Sequence, residues 1–97
     1  MRVVLTTAAR RDRRQAHAWY RDASVDAAAN FERDVRAAIE FIGTYPLGAP
    51  VLRGDVRTKT LTRFPFALLY RVLADRIRVV AVADERRDPA HYSARLD

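Results

Sequence analysis

The segment Asp84–Tyr92, with the sequence DERRDPAHY, contains several side chains that could take part in acid–base or phosphate reactions. It brings acids, arginines, a histidine and a phenol together directly after the apolar run IRVVAVA, residues 77–83. Cationic side chains can stabilise a developing phosphate charge, and an imidazole or phenol can move a proton. The segment therefore allows three interpretations: a site that cleaves RNA, a surface that contacts a protein partner, or a charged and solvated chain end.

Arg57 and Lys59 form a second group of candidate residues. They stand two positions apart in the segment VRTKTLTRF, residues 56–64, whose alternating pattern predicts a strand. Side chains two positions apart lie on the same face of a strand. The two cations are therefore expected to form a basic ledge.

Other kinds of active site lack the residues that would build them. The chain has no cysteine, and neither His17 nor His91 has a partner at metal-ligand spacing. The sequence contains no glycine-rich phosphate loop and no Ser/His/Asp order. We therefore expect no metal site and no cofactor.

The composition bounds the class of protein. With 97 residues, nearly half of them hydrophobic, the chain is expected to form one domain over residues 1–97. The net charge of +6 favours an anionic partner, which means nucleic acid, an acidic protein segment or an anionic membrane surface. The apolar runs are too short for a membrane span or a signal sequence, so we expect a soluble, cytoplasmic protein.

The hydrophobic pattern predicts two helices between one early strand and three later strands. The expected elements are a strand at 2–6, helices at 8–22 and 26–44, and strands at 56–64, 66–73 and 76–83. The segment 45–55 is expected to be a loop, and the residues after Pro89 a short helix or an irregular tail. The predicted class is α+β in the order β-α-α-β-β-β, with a helical hairpin packed on a small, mostly antiparallel sheet.

Two local patterns make more specific predictions. Trp19 and Tyr20 are expected to pack within the helical hairpin, because aromatic residues at helical spacing usually do so. In the last strand, simple alternation places Val82 on the face opposite Ile77 and Val79.

The order of several motifs is similar to that of a known family. The segments WY at 19–20, YP at 45–46, RFPFALLYRV at 63–72, IRVVAVA at 77–83 and RRDPAHYSAR at 86–95 resemble the RelE/ParE toxin superfamily. These proteins are the toxins of type II toxin–antitoxin modules. The resemblance spans almost the whole chain. It implies a compact α+β domain, and an antitoxin whose C-terminal segment wraps the toxin.

The resemblance also implies two groups of targets. RelE-like members enter the ribosomal A site and cleave mRNA, whereas ParE-like members poison DNA gyrase and lack nuclease residues. If the chain were RelE-like, the resemblance would assign catalysis to Arg86, Tyr92, Arg57 and Lys59. In nuclease members an arginine stands near the position of Ala67, and a methyl group cannot stabilise a phosphorane.

Ala67 and the RRDP motif therefore favour the ParE-like group, and a binding protein over an enzyme. We expect the toxin component of a type II module that inhibits growth through DNA gyrase and forms a hetero-oligomer with a cognate antitoxin. The alternatives are a ribosome-dependent mRNA endonuclease and a degenerate toxin that only binds its antitoxin. A purely structural interpretation is that Arg87 and Asp88, or Asp84 and Arg86, pair with each other and cap the end of the sheet. The expected contacts with target or antitoxin are Arg57, Lys59, Arg63, Arg86, Arg87, Tyr92 and Arg95.

Overall fold

Two helices lie between the first strand and four later strands. The computed structural model describes residues 1–97. The elements are β1 (Val3–Leu5), α1 (Thr7–Ala23), α2 (Val25–Thr44), β2 (Val51–Arg53), β3 (Val56–Thr60), β4 (Phe66–Val72), β5 (Ile77–Asp84) and 3₁₀ helices at Pro89–His91 and Ser93–Arg95.

The five strands form one mixed sheet in the order β1-β5-β4-β3-β2. β1 runs parallel to β5, and all other neighbouring strands are antiparallel. β1 and β5 can run parallel because a long connection, which contains α1, α2 and three strands, lies between them, whereas β4 and β5 are joined by a tight turn. The predicted α+β class, with a helical hairpin on a mostly antiparallel sheet, is confirmed.

The predicted loop 45–55 contains a strand that the pattern did not indicate. All three residues of β2 are exposed, so no alternation of apolar and polar residues marks it. Backbone pairing with β3 defines this strand, and the turn between the two contains Gly54 at φ 57°. A positive φ is the conformation that glycine adopts most readily.

The predicted strand 56–64 ends early, at Thr60. The N–H of Leu61 donates to the carbonyl of Phe66 at 2.8 Å, which closes a tight turn before β4. Pro65 lies in this turn, where a backbone N–H is not needed for hydrogen bonding between strands. Side chains that the sequence pattern assigned to one long strand therefore lie in a turn at the end of the sheet.

The helical hairpin has almost no connecting loop. Thr6 caps α1, because its hydroxyl accepts a hydrogen bond from the N–H of Ala9 at 3.1 Å. Ser24 ends α1 and also caps α2, where its hydroxyl accepts from the N–H of Ala27 at 2.9 Å. One serine therefore sets the sharp reversal between the two helices.

The main core lies between the helices and one face of the sheet. Its buried side chains come from both helices and from β4 and β5, with Phe31 at the centre. The Phe31 ring lies 5.3 Å from that of Tyr20 and 5.3 Å from that of Phe66, and such aromatic pairs add to burial. The prediction for Tyr20 is confirmed, but that for Trp19 is wrong. Trp19 points away from this cluster and is 68% exposed.

A second, smaller apolar cluster lies on the opposite face of the sheet. β5 contains a bulge, since Leu69 of β4 pairs with Ala81 while the next residue, Tyr70, pairs with Val79. The bulge changes which side chains of β5 face this cluster. β5 thus contains one extra residue at this point, and the alternation resumes on the other face. Val82 therefore lies in the main core with Val79, and the prediction from simple alternation is wrong.

The C-terminal segment covers part of this second cluster. The Arg71 guanidinium holds it by donating to the carbonyls of Arg95 at 3.2 Å and Leu96 at 2.6 Å. Arg53 on β2 also pairs with Asp97.

Both helices are too short or too polar to cross a membrane.

Candidate functional site

The segment after β5 forms a turn followed by the two 3₁₀ helices. Asp84 is the last residue of β5, and Pro89 is the first residue of the first 3₁₀ helix. The Asp88 carboxylate accepts a hydrogen bond from the N–H of Ala90 at 2.9 Å and so caps that helix. Because Pro89 has no N–H and a fixed φ, it favours this break from the sheet. The RRDP motif thus ends the strand and presents two arginines.

Arg86 pairs with Asp84 across the turn. Its Nε donates to Oδ1 of Asp84 at 2.9 Å and its Nη2 to Oδ2 at 3.1 Å, which is a bidentate arrangement. Burial alone would raise the pKa of Asp84, but the hydrogen bonds and charge of Arg86 outweigh burial and hold that pKa below its ordinary value. The ion pair expected from the structural interpretation therefore forms between these two residues. Since a guanidinium has five N–H donors, Arg86 retains capacity for another anion.

Tyr92 is 6% exposed, and its phenol is held inside the fold. The phenol oxygen accepts a hydrogen bond from the backbone N–H of Asp84 at 2.9 Å. The ring lies 4.7 Å from that of His91, and the Arg95 guanidinium lies 5.3 Å from its centroid. These contacts help to fasten the C-terminal segment to the end of β5.

Arg95 is also engaged within the fold, through an aspartate of α1. Its Nη1 and Nη2 donate to the two carboxylate oxygens of Asp12 at 2.6 and 3.2 Å. The same Asp12 carboxylate accepts the N–H of Val82 at 3.0 Å, and Arg95 donates to the carbonyl of Val80 at 3.2 Å. The pair therefore joins α1, the bulged part of β5 and the C-terminal segment.

Arg57 and Lys59 share one face of β3, and that face is turned toward α2. Arg57 donates to the carbonyl of Ala49 at 2.8 Å, and the Lys59 ammonium lies 4.3 Å from the centroid of the Phe41 ring. Burial raises the pKa of Tyr70, which pairs with Arg57 across the strands, although the arginine charge opposes that rise. The two cations cover the edge of the main core on the helical side.

Arg63 lies in the turn before β4, beside a buried carboxylate. Its backbone N–H donates to Asp34 at 2.9 Å, and its Nη2 lies 3.3 Å from the other oxygen of the same carboxylate. Asp34 is only 8% exposed, whereas the Arg63 side chain is 57% exposed. The N–H of Glu85 bonds the carbonyl of Pro65 at 2.9 Å, so this turn and the RRDP turn lie at the same end of the sheet.

Arg87 is exposed and stands between two concave surfaces. The first, which we call the cleft, is about 340 Å³ and lies between α1 and the turn after β5. The second, which we call the groove, is about 220 Å³ and lies on the opposite face of the sheet. The groove is lined mainly by apolar side chains, and Ala67 and Ala83 form part of it. Arg87 borders both surfaces, and its guanidinium is not paired with a carboxylate.

Sequence reasoning missed several residues that shape this region. Asp12 and Arg71 were not among the predicted residues, because Asp12 binds Arg95 and Arg71 binds the carbonyl of Leu96, both more than 20 positions away in the chain. Trp19 and Leu52 were assigned to a packed hairpin and a loop, yet both border concave surfaces. No group of three or more His, Cys, Asp or Glu side chains is arranged to hold a metal ion.

Comparison with known proteins agrees with this geometry. A solved structure described as the chromosomal ParDE TA system from P. aeruginosa is similar in fold, with a TM-score of 0.73 and 23% sequence identity. The match covers 87% of this chain and 95% of that chain. No curated protein sequence matches the chain significantly. The family model of the ParE toxin of type II toxin–antitoxin system, parDE, matches residues 3–89, so the chain belongs to the ParE toxin family.

Proposed function

We propose that this ParE toxin stops growth by binding DNA gyrase through exposed arginines, not by cleaving RNA. The observation that supports the proposal is the distribution of the candidate nuclease residues. Arg57 and Lys59 face the helices, whereas the Tyr92 phenol is buried against the end of β5. Attack by a 2′-hydroxyl needs a base, a cation and an acid around one phosphate, and these side chains are held apart by other contacts.

The proposed gyrase surface consists of Arg63, Arg86 and Arg87 at one end of the sheet. The side chains of Arg63 and Arg86 are 57% and 55% exposed, even though each has an acidic neighbour. Arg87 is exposed and unpaired. The other predicted contacts make hydrogen bonds, ion pairs or cation–π contacts within the fold. Their substitution would therefore act through folding as well as through binding.

The test is the supercoiling of relaxed plasmid by purified gyrase in the presence of purified toxin. We expect the wild-type toxin to block supercoiling and the Arg87→Glu variant to lose this effect, because charge reversal opposes an anionic surface of the target. Arg36→Glu is the matched control, since Arg36 is an exposed arginine of α2 without an ion pair. Normal supercoiling at a stoichiometric excess of folded wild-type toxin would refute the proposal.

Two further readouts separate the alternatives. Primer extension on ribosome-bound mRNA after induction would reveal new 5′ ends if the chain were an endonuclease. Unchanged growth without antitoxin would instead identify a degenerate toxin. Gyrase inhibition with intact mRNA is the outcome that the proposal requires.

We further propose that the antitoxin segment occupies the groove and so silences the toxin. The groove offers apolar walls, including Leu52 and Leu96, beside the unpaired charge of Arg87. An extended or helical segment with apolar anchors and an acidic residue matches this chemistry. Because Arg87 also belongs to the proposed gyrase surface, such a segment would mask part of that surface.

Co-purification with the product of the adjacent gene tests this assignment. We expect Leu52→Glu to weaken the complex, because Leu52 is 48% exposed and borders the groove. Val25→Glu is the control, since Val25 is 70% exposed and lies at the start of α2 on the helical side. Equal retention of the partner by both variants would place the antitoxin elsewhere.

A further inference from the structure

The cleft has one aromatic wall and one cationic wall. Gln15 and Trp19 of α1 lie on one side, and Arg86, Arg87 and His91 lie on the other. Phe66 and Val82 contribute the apolar floor. The cleft is thus distinct from the groove, which lies on the other face of the sheet.

Trp19 is the most unusual of these residues. It is the only tryptophan in the chain, and it is 68% exposed, whereas the neighbouring Tyr20 packs into the main core. Gln15 and Arg11 precede it at steps of four residues, so the three side chains form one row along α1. Arg11 is also exposed, so this row carries a cation beyond the residues that line the cleft.

The acids of the cleft do not cancel its positive charge. Asp12 binds the guanidinium of Arg95 through both oxygens, and Asp84 binds that of Arg86 in the same way. Both carboxylates are therefore neutralised within the fold. The Arg87 charge and the unused donors of Arg86 remain available to an anion.

We propose that the cleft binds single-stranded nucleic acid, with one base stacked on Trp19 and the adjacent phosphate held by Arg87 and Arg86. Proteins that bind single strands combine a flat aromatic side chain with nearby cations. The aromatic ring stacks on an unpaired base, whose faces are exposed, and the cations bind the phosphates. The volume of about 340 Å³ lies within the range of small-ligand pockets and suits one nucleotide unit. We expect the free toxin to bind in this way without gyrase or antitoxin, so the proposal does not rest on the proposed action on gyrase.

The single tryptophan provides the assay. A short oligothymidylate added to the free toxin is expected to quench Trp19 fluorescence, and the affinity should fall as salt is raised. Arg87→Gln should weaken binding and reduce the dependence of log K on log salt by about 0.7, the value for one phosphate of a single strand. With a fluorescein-labelled oligonucleotide, Trp19→Ala should weaken binding roughly 5- to 150-fold, as expected for one lost base stack.

Arg36→Gln and Val25→Ala serve as controls, because they remove an exposed charge and an exposed apolar side chain outside the cleft. Both should bind as the wild type does. Oligouridylate should bind comparably, and duplex DNA and free thymidine monophosphate should bind more weakly. Circular dichroism and thermal unfolding check that each variant is folded.

Several outcomes would overturn the proposal. One is the absence of quenching by any single strand, and another is an equal loss of affinity in Arg36→Gln and Arg87→Gln. Quenching by an acidic peptide but not by oligothymidylate would identify the cleft as a protein-binding site instead. Because gyrase is absent from this assay, its failure would leave the proposed function intact, and the reverse also holds.

Discussion

Replacing Asp12 by alanine should destabilise the toxin more than any other change of a single acidic side chain on α1. Asp12 lies in the RRDRR segment of α1, yet its carboxylate accepts the N–H of Val82 and two N–H groups of Arg95. The Asp12 side chain is 10% exposed and that of Arg95 is 26% exposed. The substitution would therefore remove the contact that joins α1, β5 and the C-terminal segment.

The size of the effect follows from these contacts. A buried N–H left without an acceptor costs about 1–3 kcal/mol. The ion pair adds about 1 kcal/mol, since it is partly exposed and closer to a surface pair than to a fully buried one. The free energy of unfolding should thus fall by roughly 2–4 kcal/mol, which is a large part of the roughly 5–15 kcal/mol typical of a domain. In a domain of this size the Tm should fall by roughly 10–30 °C.

Urea unfolding followed by circular dichroism measures this loss. Asp12→Asn should lose about half as much, because its amide oxygen still accepts the Val82 N–H while the charge is removed. Asp22→Ala is the control on the same helix, since Asp22 is exposed and has no ion pair. If the midpoints of Asp12→Ala and Asp22→Ala coincide at equal slope, the reasoning is wrong.

Three further predictions concern stability. The folded-state pKa of Asp84 is lowered, so its ionised form stabilises the fold above the unfolded pKa of about 3.9, and this stabilisation is lost as pH falls through the folded value. Asp84→Asn should therefore flatten acid unfolding curves below pH ~4, and an unchanged curve would contradict the assignment. Gly54→Ala should cost about 1–2 kcal/mol, because φ is 57° there, although no atom lies within 4 Å of an added Cβ. Thermal unfolding would disprove this if the Tm did not change. Phe31→Ala should cost about 3–5 kcal/mol, because the ring is 0% exposed and contacts three other aromatic rings. A loss below ~1 kcal/mol in urea would show that the core refills the space.

Sequence patterns were sufficient for elements that bury one face. The hydrophobic pattern predicted a helix at 26–44, and apolar residues at helical spacing in α2, such as Phe31, Val35 and Ile42, form part of the main core. The residues after Pro89 were expected to form a short helix or an irregular tail, because proline does not continue a strand, and they form 3₁₀ helices. β2 escaped prediction because all of its residues are exposed and only hydrogen bonds to β3 define it.

The candidate site was only partly predictable. The position of Arg86 and Tyr92 after the apolar run at 77–83 indicated that both follow the last strand, and both border the cleft. The burial of Tyr92 and the ion pair of Arg86 could not be predicted from the sequence. Tyr92 is buried by residues on β5, and Arg86 is held by Asp84. Trp19 and Tyr20 were equally hard to tell apart from the sequence. They are neighbours on α1, yet Trp19 is exposed and Tyr20 packs against Phe31 in the main core.

Local periodicity and the order of motifs were enough to predict the α+β class, the helical hairpin and the family resemblance. Which arginines in and around the DERRDPAHY segment remain available to a partner depends on contacts between distant parts of the chain. A guanidinium binds whichever carboxylate or carbonyl the fold brings near it. Arg95 is engaged by Asp12 on a distant helix, whereas Arg87 remains exposed between the cleft and the groove.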